Sequence, residues 1–571
     1  MKKTILIIIL LQLKFLTAQI PQYRLSHWKK AGIINLNNTS NVIYAEDFGL
    51  IGNNTYVNDT AILNAINSLG SNGGIIEFNE GTFLFNQPIT LKSNITLKGK
   101  GNKSILNFNL NHENTSCIII SGNKETDIFP LLTTEKKDSI LNTAGPHQMI
   151  KGDVFQIFHQ DSFLAFSSWA RGSIGQICYI EDSINLSQFK ITTELRQSFI
   201  PANNSRYVKI KPINNVSIQC LKIIRLDSTI GQTSNIEFNY ATNCLIKNVH
   251  SENCNFGHIT FNQSIHNEVS NCYFTKAFAY GGGGQGYGVV LQSTSGENLI
   301  TNNRFEHLRH SVLLQMGANG NVISYNYSLD PYWESTVTNS AGDMVCHGNY
   351  VHHNLFEGNV CQNIVIDNSH GKNGPYNTFF RNKAQLYGIV VSTNQDSINF
   401  IANEITNNTL FIFGQFITPG IGHIAIKNNI KGQLQTGNNS ISEASLYLNK
   451  KPNFWLNKNN WPCIGHPTTY NNGTNTAYII YNDSSNQNNC FYSPSQLVQL
   501  VSEQYSLPYP NPFNNFIDLN HQISGYKLYS CDGKLIQESK EETQRINTPF
   551  LENGIYYLNI ENAIFKLIKG E

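Results

Sequence analysis

From about residue 210 a short motif keeps returning: a few apolar residues, an asparagine, then another run suited to a strand. It reads Cys244-Leu245-Ile246-Lys247-Asn248-Val249, then Glu268-Val269-Ser270-Asn271-Cys272-Tyr273-Phe274. It returns as Leu299-Ile300-Thr301-Asn302-Asn303-Arg304-Phe305 and Val322-Ile323-Ser324-Tyr325-Asn326-Tyr327, and later around Asn359, Asn382, Asn403 and Asn428. Asn248 to Asn271 and Asn303 to Asn326 are each 23 positions, and Asn382 to Asn403 is 21. Asn271 to Asn302 is 31 and Asn326 to Asn359 is 33, where loops at Tyr280 to Tyr287 and Asp330 to His347 intervene. A period in the low twenties with two or three short strands per repeat predicts a parallel β-helix, in which each coil lays its strands on those of the coil before. Asparagines at equivalent turns can then stack and hydrogen-bond along the axis. A leucine-rich repeat has an overlapping period, but its leucine spacing is missing and Ile, Phe and Asn dominate here. The chain has 571 residues, which would imply several domains in a globular protein; a solenoid grows by adding coils instead.

The stretch before the repeats supports the same fold. Tyr44-Ala45-Glu46-Asp47-Phe48-Gly49 leads to Asn58-Asp59-Thr60-Ala61-Ile62-Leu63-Asn64-Ala65-Ile66. Asn58 or Asp59 is placed to cap a helix, and Ile62, Ala65, Ile66 and Leu69 share one of its faces. Such a helix can plug the open end of a solenoid core. Gly73-Gly74-Ile75-Ile76-Glu77-Phe78, Glu80-Gly81-Thr82-Phe83 and Ile89 to Gly101 follow as strands and turns. Residues 44–106 resemble the pectate-lyase-like superfamily of right-handed parallel β-helices, which includes rhamnogalacturonases, epimerase-like proteins and phage tailspikes. The resemblance implies the fold, an all-β solenoid. It leaves the reaction open, because these relatives run different chemistry on one scaffold. Residues 112–207 break the repeat and read as a β-rich insertion that walls one side of a groove. Residues 440–500, with Trp455, Trp461 and Pro462, are expected to pack over the C-terminal end of the helix. The solenoid body is therefore 19–500.

The two ends carry sorting information. Lys2 and Lys3, an apolar run from Ile5 to Leu11 and Thr17-Ala18-Gln19 form a secretory signal peptide over 1–18. The run is short and broken by Lys14, so a membrane anchor is not expected, nor is an integral membrane protein. At the other end come Tyr509-Pro510-Asn511-Pro512-Phe513, Tyr526-Lys527-Leu528-Tyr529, Asp532-Gly533-Lys534, Asn553-Gly554-Ile555-Tyr556-Tyr557-Leu558 and Phe565-Lys566-Leu567-Ile568-Lys569. Short alternating strands between Gly, Asp and Asn turns predict a small β-sandwich. Their order resembles the C-terminal sorting domain of the type IX secretion system of Bacteroidetes, over 507–571. The resemblance implies the type IX machinery as a partner and release from, or attachment to, the outer cell surface. The 11 cysteines show no zinc pattern. Cys220, Cys244 and Cys272 are expected to stack as small buried residues in successive coils, and Cys463 with Cys490 could form a disulfide.

Only 14% of residues are charged and the net charge is +1, so no basic face points to nucleic acid. The loops and one sheet of a β-helix make a long groove, which suits a polysaccharide. Titratable residues crowd into 304–372, and residues one coil apart are neighbours in space, at about 4.8 Å. A polysaccharide lyase needs a base for the C5 proton, a cation against the uronate carboxylate and an acid for the leaving oxygen. Arg309, His310, His347 and His353 are candidates for the proton transfers, with Arg304 or Lys372 against the carboxylate. Calcium held by Asp343 and Glu357 could neutralise it instead. A glycoside hydrolase needs two flanking carboxyl groups, for which Asp330, Glu334, Asp343, Glu357 and Asp367 are the candidates. Trp333 and Tyr332 could stack on a sugar. The catalytic candidates are therefore His310, His347, Arg309, Asp343 and Glu357, with Arg304, His353, Trp333 and Lys372 binding substrate. The Gly281-Gly282-Gly283-Gly284 run lacks the strand-to-helix setting of a phosphate loop and reads as a flexible flap beside the groove. The paired aspartates and Gly-His-Gly turn of polygalacturonases are missing, as is the arginine motif of pectate lyases, so no catalytic residue carries over from either. The expectation is a secreted enzyme cleaving a polysaccharide, lyase slightly ahead of hydrolase. A uronate epimerase and a non-catalytic glycan-binding or adhesive β-helix are the alternatives.

Overall fold

The computed structural model describes residues 20–35, 41–407, 414–436, 441–455, 460–470, 472–482, 513–530, 534–560 and 563–570. The expected signal peptide and Cys490 lie outside these. The chain divides into two units, 1–490 and 491–571.

The first unit is a right-handed parallel β-helix, whose coils together make one large sheet of 31 strands among the described residues. Each coil has three faces. Sheet A stacks Leu245–Lys247, Glu268–Ser270, Leu299–Thr301, Val322–Ser324, Leu355–Glu357 and Thr378–Phe380 in register. Sheet B stacks His250–Cys254, Tyr273–Ala277, Arg304–Glu306 and Tyr327–Leu329. Sheet C stacks Gly257–Asn262, Tyr287–Gln292, His310–Leu314 and Met344–Cys346, continuing into the second half of Val360–Ile366. Inward side chains form one core along the axis, with like placed on like. Phe356, Phe379 and Phe400 stack at 4.6 and 5.4 Å between ring centres, close to the rise from one coil to the next.

The repeating asparagines do the work expected of them, with a distinction the spacing hid. The corner between sheets A and B uses two consecutive positions. The first takes a left-handed backbone, at Asn248, Asn271, Asn302, Tyr325, Gly358, Arg381 and Ala402. The second turns its side chain inward and builds the ladder: Asn303, Asn326, Asn359, Asn382, Asn403 and Asn428 are each bonded amide to amide, at 2.8–3.0 Å. A second ladder, Asn267, Asn298, Asn321, Asn354 and Asn377, runs up the corner between sheets C and A. Asn248 and Asn271 are thus turn residues that tolerate φ > 0 and stand outside the inward ladder, although Asn271 accepts a hydrogen bond from the Asn302 amide at the same turn one coil on. The cysteines do not form one column either. Cys244 and Cys272 sit beneath the first asparagine of each ladder, giving their N–H groups to Asn267 and Asn303, whereas Cys220 holds the left-handed corner position.

The helix Asp59–Ser68 places Ala61, Ile62, Ala65 and Ile66, with Leu69, in the solenoid core and so closes its end. Asn58 stands at the cap position but caps nothing. Its amide instead ties Ile51, Tyr56 and Leu84 together. The insertion is a six-stranded antiparallel sheet between Asn123 and Lys211, with its own core around Phe155, Phe189 and Phe199. Arg196 and Glu297, a buried ion pair, fasten it to the coils.

Residues 441–482 differ from expectation. The described residues among them run along the outer face of sheet A rather than over the end of the helix. Val322, Leu355, Phe380 and Ile401 point outward there and need cover. Tyr447, Trp455 and Ile464 supply it, joined by Ile20 and Trp28 from the N-terminal segment. Arg381 fixes the strap by donating to the carbonyls of Glu443, Ile464 and His466. Cys463, part of this strap, is a buried thiol.

In the second unit, Phe516–Ile523 pairs with Thr543–Asn547. Leu535–Ser539, Tyr526–Ser530, Gly554–Ile560 and Ala563–Lys569 form a four-stranded antiparallel sheet. Ile517, Leu528, Ile546 and Leu558 fill the space between them, which makes the small β-sandwich.

Candidate functional site

Sheet C is the face on which the candidates converge. Strand alternation turns Val289, Leu291, Val312 and Leu314 into the core and therefore Val290 and Leu313 outward. The outward residues Val290, Leu313 and Val345 form a buried apolar patch with Phe256 and Tyr287. Polar groups stand around it. Tyr287 and His310 open neighbouring strands in register and stack, 5.0 Å between ring centres. His347 follows the next strand directly and continues its ladder, its N–H donating to the Leu314 carbonyl at 2.8 Å. The rings of His310 and His347 approach to 6.2 Å. Asp367, one coil further on, gives its N–H to the Cys346 carbonyl and accepts a 2.6 Å hydrogen bond from His347 Nδ1. His370 stands edge-on to His347 at 4.7 Å.

The hydrogen bonds fix the chemistry of these rings. The Gly342 carbonyl can only accept, so His310 Nδ1 carries the proton it shares with that oxygen at 2.8 Å, and Nε2 is left as an acceptor. Burial, reinforced by Arg309 and His347, pushes the His310 pKa down to about 3, so this ring stays neutral. His347 likewise presents Nε2, with Nδ1 donating to a carboxylate. Burial works to raise the Asp367 pKa, but its hydrogen bond to His347, the histidine's charge and Ser369 together hold it below the ordinary carboxylate value. Asp367 is thus an anion behind an imidazole, the arrangement that orients a general base and stabilises it once protonated.

Arg309 closes one side. Its guanidinium donates to the Gly281 carbonyl and lies 5.9 Å from the Tyr287 ring centre and 5.8 Å from that of Trp333. The glycine run is therefore held at several points: Glu334 accepts from the Tyr280 N–H, and Gln232 donates to the Gly283 carbonyl.

The remaining candidates lie elsewhere. Asp343 points inside the solenoid, where Ser328 and the N–H groups of Gln362 and Asn363 saturate it and burial pushes its pKa up to about 6. Glu357 is on sheet A beneath the strap, 1% exposed. It accepts from Tyr325 and the Leu446 N–H, and burial raises its pKa to about 7. The two carboxylates considered for calcium therefore do not converge, and among the described residues no group of three or more His, Cys, Asp and Glu side chains could hold a metal ion. Arg304 is on sheet B, paired with Glu306 and resting on the Tyr273 ring. His353 is a buried corner residue against His352 and Tyr376. Lys372 is exposed and pairs with Asp396. Among the residues brought to sheet C, His370 lay within the crowded 304–372 stretch without an assigned role, and Tyr287 carried no sequence signal beyond its distance of one coil from His310.

Residues 41–142 match the family described as rhamnogalacturonase A/epimerase, pectate lyase-like. Residues 508–569 match the secretion system C-terminal sorting domain, which marks the protein for secretion or attachment to the outer cell surface. No curated protein matches the chain. Among solved structures, the tailspike protein gp49 from Pseudomonas phage LKA1 is similar at 14% identity, with a TM-score of 0.51 over 64% of each chain. The chain thus spans less than two thirds of that tailspike's length. An exopolygalacturonase from Thermotoga maritima aligns at 13% identity and TM-score 0.36, over 66% of this chain and 89% of its own. The A-module of the Azotobacter vinelandii mannuronan C-5 epimerase AlgE6 aligns at 12% and 0.35, over 64% and 76%. At 14% identity the likeness to the tailspike concerns the fold alone.

Proposed function

We propose that this secreted protein, which joins a pectate-lyase-like β-helix to a secretion sorting domain, cleaves an acidic polysaccharide by β-elimination on the outer face of sheet C. The observation that carries the reading is the His347–Asp367 pair beside His310. In this reading His347 Nε2 takes the proton from C5 of a uronate residue. The electron pair forms the C4–C5 double bond as the C4–oxygen bond breaks, and the protonated His347 returns the proton to the leaving oxygen. Asp367 stabilises the intervening imidazolium. Arg309 faces the uronate carboxylate, and the neutral His310 accepts a hydroxyl hydrogen bond through Nε2.

Elimination is favoured over hydrolysis by how the carboxylates are used. Hydrolysis needs two carboxyl groups flanking the bond. Asp343 is internal, Glu357 is covered, Asp330 is engaged by His307 and Asp367 by His347. This leaves the exposed Glu334, itself accepting from the Tyr280 N–H, with no second free carboxyl group among these candidates to flank a bond with it. The family description also spans hydrolase, epimerase and lyase, and an epimerase shares the proton-abstraction step. The test is to follow ultraviolet absorbance and reducing ends together on acidic and neutral polysaccharides. Elimination raises both with an acidic polymer. Reducing ends alone indicate hydrolysis and overturn the assignment.

A further inference from the structure

The insertion sends one loop over the coils beside this site, and that loop displays aromatic rings to solvent. Phe163, Phe166 and Trp169 recur at every third position and are 60%, 70% and 52% exposed. Rings of this size are normally buried, because leaving them in water forfeits the benefit of hiding their large apolar surface. A cluster kept outside marks a surface for a ligand.

The loop holding them is firmly built. The Asp161 carboxylate accepts from the N–H groups of Gly172 and Ile174, and its carbonyl from those of Leu164 and Ala165. Ala165, Ala170 and Ile174 pack beneath. The loop is pinned to the solenoid as well: the Ser167 N–H donates to Asn349 at 3.0 Å, and Ser167 Oγ is 3.2 Å from His370 Nδ1. Phe166 lies so close over Gly371 that a Cβ added there would come within 2.3 Å of its own Cβ.

The rings are also continuous with the site. Trp169 stands edge-on to His370 at 5.0 Å, and His370 edge-on to His347 at 4.7 Å. One histidine therefore touches both the platform and the proposed base.

We infer that Phe166 and Trp169 form a stacking subsite for a pyranose ring of the same polymer, next to the unit that reacts at His347. A pyranose presents a flat face of C–H groups and a rim of hydroxyls. The exposed aromatic rings match the first and the half-buried His370 beside Trp169 stands at the second, whereas a protein partner would want a broader apolar patch. The inference rests on the reading of sheet C as a polysaccharide site, and it assigns the insertion a role in holding the polymer beside the reacting sugar.

The experiment is affinity electrophoresis of the full chain through native gels containing polygalacturonate, alginate or arabinoxylan, with His347→Ala throughout to stop turnover. At least one polymer should retard the protein. Adding Trp169→Ala should weaken that retention at least tenfold, about 1.4 kcal/mol, and Phe166→Ala should weaken it too, with melting temperatures unchanged. Trp169→Phe should keep most of it. Retention that neither alanine variant alters would overturn the subsite and leave the site on sheet C standing. A chain that cleaves a polymer in its wild-type form but is retarded by none would do the same. Neither retardation nor cleavage across the panel would overturn both readings.

Discussion

At the scale of residues, one hydrogen bond separates the proposed base from its neighbours. His347 is backed by a carboxylate, His310 by a carbonyl. Only the first pairing gains a charge interaction when the ring takes a proton. His347→Ala and Asp367→Asn should therefore each lower turnover at least about tenfold, within the usual contribution of general acid–base catalysis, with an unchanged far-ultraviolet circular dichroism spectrum. Full activity in both would remove the assignment. His310 also leaves a mark on stability. A histidine in an unfolded chain titrates near 6.5, and burial pushes His310 down to about 3. Between those values the unfolded state binds more protons, so the stability of the neutral ring is complete above about pH 6.5 and is lost as pH falls towards 3. The melting temperature of His310→Gln should depend less on pH between 6.5 and 4 than that of the parent. Glu357 behaves oppositely. Its pKa rises from 4.5 to about 7 through burial, so the folded state holds the proton more tightly and stability falls as pH climbs through that window. The melting temperature of Glu357→Gln should gain on the parent as pH rises from 4.5 to 7, with activity kept. A lost activity would bring Glu357 back into the site.

At the scale of elements, the asparagine ladders decide the fold. Asn326 donates to Asn359 and to the Ile300 carbonyl and accepts from Asn303, all inside the coil. Alanine there strands groups on both adjacent coils, at about 1–3 kcal/mol for each buried group left unpaired. Asn326→Ala should lower the melting temperature by several degrees, whereas Asn248→Ala, at a half-buried turn outside the inward ladder, should cost less. Equal effects would contradict the division into ladder and turn positions. That division marks the limit of reading a periodic sequence. Asn302 and Asn303 are adjacent and chemically identical, and only backbone geometry tells the turn residue from the ladder residue. The strap over sheet A was illegible for a related reason. A strand pattern shows that Val322 and Leu355 are apolar, but not that they point outward until the inward set is known. The helix plug was legible because its apolar face follows from helical geometry alone. Gly371, at φ +76° beneath Phe166, is a further element-level control. Gly371→Ala should disturb the aromatic loop and polymer retention more than it disturbs the coils.

At the scale of the whole molecule, a solenoid turns sequence distance into a lattice. The lattice could be read from the asparagine spacing, which places His310, His347 and Asp367 in one crowded stretch where several residues can converge, without saying which of them meet. Which of three faces each residue occupied was not available from that spacing. Asp343 and Glu357 belong to the same stretch, yet one is enclosed by the coil and the other hidden by the strap. The insertion was visible as a break in the repeat, but its placement of Ser167 and Trp169 against His370 links residues about 200 apart through tertiary packing alone. The most direct test of the central claim compares the protein with its His347→Ala variant on polygalacturonate, alginate and arabinoxylan, recording ultraviolet absorbance and reducing ends in the same samples. The account predicts that both signals rise together on an acidic polymer and that His347→Ala abolishes both. Reducing ends without the unsaturated product, or equal activity in the variant, would contradict it.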